Sequence, residues 1–139
     1  MRKDDCIFCK IANGGIPSTT VYEDEDFRAI LDLSPASRGH TLVIPKEHSD
    51  DLCRLDTKTA QKVLPVAARI GAAMKEALHC DGFNLVQNNG EAAGQTVQHF
   101  HMHIIPRYAG SGAKIAAWEP GESDEEERES IGAAIRQAL

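Results

Sequence analysis

No stretch of the 139-residue sequence approaches the roughly 20 apolar residues that a membrane span needs. The amino terminus, Met-Arg-Lys-Asp-Asp-Cys6, lacks the apolar core of a secretory signal. The sequence therefore predicts a cytoplasmic protein with no membrane association. Basic residues are outnumbered, 15 Lys and Arg against 21 Asp and Glu, for a net charge of −6. Such a surface repels phosphate backbones and excludes broad nucleic-acid binding, but not a small phosphorylated ligand in a local pocket. Internal repeats and low-complexity segments are missing. With 42% hydrophobic and 26% charged residues, the composition also excludes a disordered chain, a collagen and a coiled coil. Cysteines are few, four in all. In a reducing compartment they read as thiols or metal ligands instead of a disulfide framework.

What is present fits one domain over residues 1–139, with an amino-terminal segment 1–20 and a carboxy-terminal extension 108–139. Val21 to Asp32 reads as two short strands around an acidic turn. His40–Ile44 is β-branched and apolar, an interior strand that Pro45 ends. Residues 56–79 predict a long helix, capped by Asp56 or Thr57. Its apolar stripe is Val63, Leu64, Ala67, Ile70, Met74, Ala77 and Leu78, and Pro65 predicts a kink. Asp81-Gly82 leads to a strand over Phe83–Gln87. Thr96–Ile105 alternates with period two and predicts another. Ser123 with Glu126 reads as a capping box for a terminal helix carrying Ile131, Ala134, Ile135 and Ala138. Strands outnumber helices and do not alternate with them. The expected class is α+β, a mainly antiparallel sheet of about five strands with one long helix and a carboxy-terminal helix.

The chemistry concentrates in Gln98-His99-Phe100-His101-Met102-His103-Ile104-Ile105. In a strand, alternate side chains share a face. His99, His101 and His103 then line one face, while Phe100, Met102 and Ile104 line a core. Each buried imidazole has two nitrogens that need partners, so three in a row point to function. Alternate histidines can ligate zinc. Neutral imidazoles can also attack phosphorus and form a covalent phospho-histidine. The surroundings favour the second chemistry. Gly90 and Gly94 let backbone approach a ligand closely. Asn88, Gln95 and Thr96 offer neutral donors for phosphate oxygens. Cys6-x-x-Cys9 alone is the spacing of zinc sites, of redox motifs and of cysteine pairs with neither role. Cys53 and Cys80, with no partner at metal spacing, read as core or near-surface thiols.

His99-Phe100-His101-Met102-His103-Ile104-Ile105 resembles the motif of the histidine triad (HIT) family, in which three histidines alternate with apolar residues. Gly94-Gln95-Thr96-Val97, Asp32-Leu33-Ser34-Pro35, His40 to His48 and Cys6-Ile7-Phe8-Cys9-Lys10-Ile11 resemble the family too, so the likeness spans about residues 6–107. It is similar to bacterial members of the Hint branch, because Asn88 stands where the Fhit branch carries glutamine. The resemblance implies a HIT-like fold and a nucleotide hydrolase or transferase acting on purine nucleoside phosphoramidates or other AMP-linked substrates. His101 would be the nucleophile, with His99, His103 and a buttressing His40 around it. Asp32 and Leu33 would hold the nucleoside, and Asn88, Gln95 and Thr96 the phosphate side. Cys6, Cys9, His48 and His99 would hold a structural zinc, with no organic cofactor, and two chains would form a homodimer. Trp118 lies near a position where relatives place a tryptophan beside the partner's pocket. Gly94–Val97 and Pro106-Arg107 look equally like the Fhit branch. That keeps a diadenosine polyphosphate hydrolase as an alternative, beside a nucleotide-binding adaptor with vestigial catalysis.

Overall fold

A computed structural model describes residues 1–111 and 120–139; Trp118 lies outside them. Five strands form one antiparallel sheet: β1 (Thr20–Glu23), β2 (Phe27–Leu31), β3 (Thr41–Pro45), β4 (Gly82–Val86) and β5 (Met102–Arg107), in the order β1-β2-β3-β5-β4. The helices are α1 (Ile7–Ala12), α2 (Thr57–Leu78) and α3 (Glu125–Ala138). This is the α+β architecture expected from the sequence.

Period-two alternation divides the sheet between two cores. Phe27, Ala29, Val43, Phe100, Met102 and Ile104 pack against Val63, Val66, Ala67, Ile70 and Met74 of α2. Ile30, Leu42 and Ile44 point the other way, against Phe8 and Ala12 of α1. β3 is buried at all five positions, as its uninterrupted apolar run requires. Asp56 caps α2 by accepting from the Thr59 N–H. The helix continues through Pro65 to His79, which takes a left-handed conformation at its end. The buried stripe runs through Val63, Val66, Ala67, Ile70 and Met74, and Leu64 is 57% exposed. Gly71 lets the helix sit on β4: a Cβ there would meet the Phe83 ring at 2.3 Å.

Three elements differ from their sequence expectations. α1 was not foreseen; Cys6 caps it by accepting from the Cys9 N–H. The strand expected from Thr96 starts only at Met102. Ahead of it, the His99 N–H bonds to Val97 O, and the Phe100 N–H bonds to Ser49 O. The His99 ring takes the Pro45 carbonyl, so the neighbouring backbone is no longer free for a ladder. The terminal helix is capped by Asp124, which accepts from the Glu127 N–H, while Ser123 binds the Arg128 guanidinium. No helix among the described residues is long and apolar enough to cross a membrane.

A candidate active site beside a candidate metal centre

The amino-terminal segment and the loops flanking the sheet bring Cys6, Cys9, His48 and His99 together. One ligand atom from each lies within 4.8 Å of all the others. Cys6 Sγ is 3.4 Å from His99 Nδ1, Cys9 Sγ is 3.4 Å from His48 Nδ1, and Cys9 Sγ is 3.5 Å from His99 Nδ1. Zinc–sulfur and zinc–nitrogen bond lengths give a tetrahedral sulfur–nitrogen edge of about 3.5 Å. The rings are also oriented from behind. His99 Nε2–H donates to Pro45 O at 2.9 Å, and His48 Nε2–H donates to Asp50 Oδ1 at 2.7 Å. Each bond leaves Nδ1 with its lone pair facing the sulfurs, the arrangement that carbonyl and carboxylate partners enforce on ligating histidines. Burial holds His99 at a pKa of about 4, hence neutral, and pushes the Cys9 thiol up. A divalent cation would reverse the second shift. These four residues therefore fit a closed tetrahedral metal centre.

His99 also faces the second half of the site. His101 Nδ1 is 2.7 Å from the backbone oxygen of His99. A carbonyl only accepts, so Nδ1 holds the proton and Nε2 holds the lone pair. His101 is 6% exposed, and the Phe8 ring stands perpendicular to it at 4.8 Å.

A second chain of bonds sets the neighbouring rings. The Ala36 N–H donates to His40 Nδ1 at 2.9 Å, which leaves the His40 proton on Nε2. That proton is donated to His103 Nδ1 at 2.9 Å, so His103 carries its own proton on Nε2. Asp32 Oδ2 lies 3.6 Å from His40 Nε2. The ligand atoms of Asp32, His40 and His103 also fall within 4.8 Å of one another. They do not form a second metal centre, because the Ala36 amide keeps His40 Nε2 protonated. Burial lowers the pKa of His40 and His101 and holds His103 at about 4, so all three rings are neutral near pH 7. Within one small space the site holds a nitrogen lone pair on His101 and an N–H donor on His103; their ring centroids are 5.1 Å apart.

The remaining expected residues separate into two groups. Asp32 sits at the end of β2, where Oδ1 accepts from the Ser34 N–H, and its neighbour Leu33 is 99% exposed. Asn88 is half-buried beside Gly94, and its side-chain amide has no partner among the described residues. Thr96 is exposed. Gln95 departs from the expectation that it donates to a phosphate. It is 3% exposed, and Nε2 gives its hydrogens to Asp50 O and Val97 O, while Oε1 accepts from the Gly90 N–H. The backbone N–H groups of Thr96, Val97 and Gln98 make no hydrogen bond among the described residues.

A family model described as HIT domain matches residues 13–110. The protein named "Protein hit" of Bacillus subtilis (strain 168) is 41% identical over 138 residues, covering 98% of this chain and 95% of its own length. The adenosine 5'-monophosphoramidase HNT1 of Saccharomyces cerevisiae is 39% identical over 119 residues, 86% of this chain and 73% of that protein. Among solved structures, a HIT family protein from Bacillus anthracis superposes with a TM-score of 0.89 at 44% identity, covering 98% of both chains. A zinc-bound histidine triad family protein from Mycobacterium smegmatis superposes with a TM-score of 0.76 at 41% identity, covering 96% of this chain and 95% of its own.

Proposed function

This chain belongs to the histidine triad family, and on that premise we propose that it is a nucleotide hydrolase cleaving AMP-linked substrates, phosphoramidates above all, through a nucleotidyl-histidine. The 2.7 Å bond from His101 Nδ1–H to the His99 carbonyl carries this reading, because it aims a neutral Nε2 lone pair outward. In the first step Nε2 forms a bond to the α-phosphorus and the phosphorus–nitrogen bond of the substrate breaks. The amine leaves with the proton of His103 Nε2, and the water of the second step gives that nitrogen its proton back. In the second step water attacks the same phosphorus, the bond to His101 Nε2 breaks and AMP departs. The Nε2–H of His103, the Asn88 amide and the Thr96 hydroxyl are the donors for charge developing on the phosphoryl oxygens. Asp32 takes the ribose hydroxyls, and exposed Leu33 covers the nucleoside. The similarity to a yeast adenosine 5'-monophosphoramidase supports the phosphoramidate as substrate.

Cys6, Cys9, His48 and His99 hold a structural zinc in this proposal, and the zinc-bound relative supports that metal. Bound there, zinc supplies a covalent cross-link between the amino-terminal segment and the sheet. The hydrolytic steps need no organic cofactor. The thiolates suit the reducing cytoplasm. Two chains would join through β4, an edge strand on which Leu85 is 40% exposed, since open edges call for cover. Light scattering tests this: twice the 15.1 kDa chain mass is expected, and a monomer mass at micromolar concentration refutes it. Turnover of an adenosine phosphoramidate beside a diadenosine polyphosphate tests the substrate class. Faster cleavage of the phosphoramidate is expected. The reverse order makes the chain a polyphosphate hydrolase, and binding without turnover makes it an adaptor.

A further inference from the structure

Residues 88–98 carry the phosphate-side donors, and Gln95 is the one residue among them that is fully buried. Gly90 and Gly94 bend this loop with φ of 90° and 92°, and a Cβ on Gly90 would meet nothing within 4 Å. Two side chains tie it to residues 50–52 or close it on itself: Asn89 Oδ1 accepts from the Leu52 N–H at 2.8 Å, and buried Gln95 makes three bonds. Gln95 Oε1 accepts from the Gly90 N–H at 2.8 Å, and Nε2 donates to Val97 O at 3.0 Å, which closes the loop on itself. The other hydrogen of Nε2 goes to the backbone oxygen of Asp50 at 2.7 Å.

Asp50 is not an arbitrary anchor. Its carboxylate accepts from His48 Nε2 at 2.7 Å and from Lys3 Nζ at 3.2 Å. It is thus the residue that orients one ring of the metal centre. The preceding residue, Ser49, takes the Phe100 N–H at 2.7 Å, between His99 and His101. We infer that Gln95 is a positioning residue that couples metal occupancy to phosphate binding, by fastening the phosphate-side loop to the backbone of the residue that holds His48. The coupling rests on the hydrolase and zinc reading above. With the metal bound, His48 and Asp50 are fixed, and Gln95 passes that fixed position to the loop that carries Asn88 and Thr96. Without it, residues 48–50 lose that anchor and the loop donors lose their fixed position.

Such coupling is reciprocal for two ligands that bind at separate places. The zinc affinity of the full chain, read by competition with a chelator, should rise about tenfold at saturating AMP. AMP affinity, read by calorimetry, should fall by the same factor once zinc is stripped. Gln95→Met keeps the side-chain volume and removes all three bonds; in it each factor should shrink below about twofold, with one zinc per chain still bound. Gln95→Glu retains acceptance from Gly90 but cannot donate to Asp50, so it should lose the coupling equally and serves if the methionine variant fails to fold. A native chain that binds AMP and zinc independently overturns the inference and leaves the hydrolase reading standing. So does a folded Gln95 variant with the native coupling. A native chain that binds no zinc fails the reading beneath and takes the coupling with it.

Discussion

The backbone oxygen of His99 fixes the proton of His101 at 2.7 Å, while the ring of the same His99 turns its Nδ1 to the two cysteines. One residue thus belongs to both centres. Its ring is a candidate ligand, and its carbonyl selects the tautomer of the candidate nucleophile. Purification without added metal should therefore yield about one zinc per chain by elemental analysis. Cys6→Ser with Cys9→Ser should lose the metal and reduce turnover, because His99 is no longer held. A double variant that keeps its zinc refutes the assignment of the ligands.

His40 is expected to act on His103 and not on substrate. Removing its ring leaves the Ala36 N–H unpaired and His103 Nδ1 without a donor, so the His103 proton is no longer confined to Nε2. His40→Ala should lower kcat by about ten- to a hundredfold, a loss in the range of acid–base and orientation effects. The KM for an AMP-linked substrate should change much less. Single-turnover kinetics check this, and an unchanged kcat would refute the relay.

Acid should destabilise the fold through His103. Burial, then the neighbouring His101 and His40, holds its pKa at about 4 against an ordinary 6.5, with Asp32 opposing. The folded value is depressed, so the unfolded chain takes up its proton first as pH falls. His103 thus costs no stability above about 6.5. Its contribution is lost progressively as pH falls from 6.5 to about 4 and changes no further below that. Thermal melts across that window should fall more steeply for the native protein than for His103→Gln. Parallel curves would contradict the assignment.

Much of this site is legible in the sequence because its spacing is geometric. The alternation of His99, His101 and His103 with apolar residues matches the buried positions of Phe100, Met102 and Ile104, and Pro45 does end an interior strand. The early start assigned to the last strand failed for a related reason. Alternation is a pattern of side chains, and the backbone before Met102 is held by Ser49 and by the His99 ring instead of a ladder. α1 escaped because six residues show no periodicity; its cap is a cysteine that also faces the metal centre. Gln95 was recognisable as important but not in its role. An amide suits phosphate or backbone equally, and only its burial and its three partners decide between them. Tautomers leave no trace in a sequence, since they are set by the Ala36 amide and the His99 carbonyl.

The nucleophile is tested most directly by trapping it. Native protein mixed with an adenosine phosphoramidate and quenched early in turnover should be heavier by one adenylyl group, with an acid-labile linkage that fragment mass spectrometry places on His101. His101→Ala should show no such adduct and lose turnover by about three orders of magnitude or more, while still binding AMP through Asp32 and the phosphate-side donors. An adduct on another residue, or near-native turnover in His101→Ala, would contradict the account.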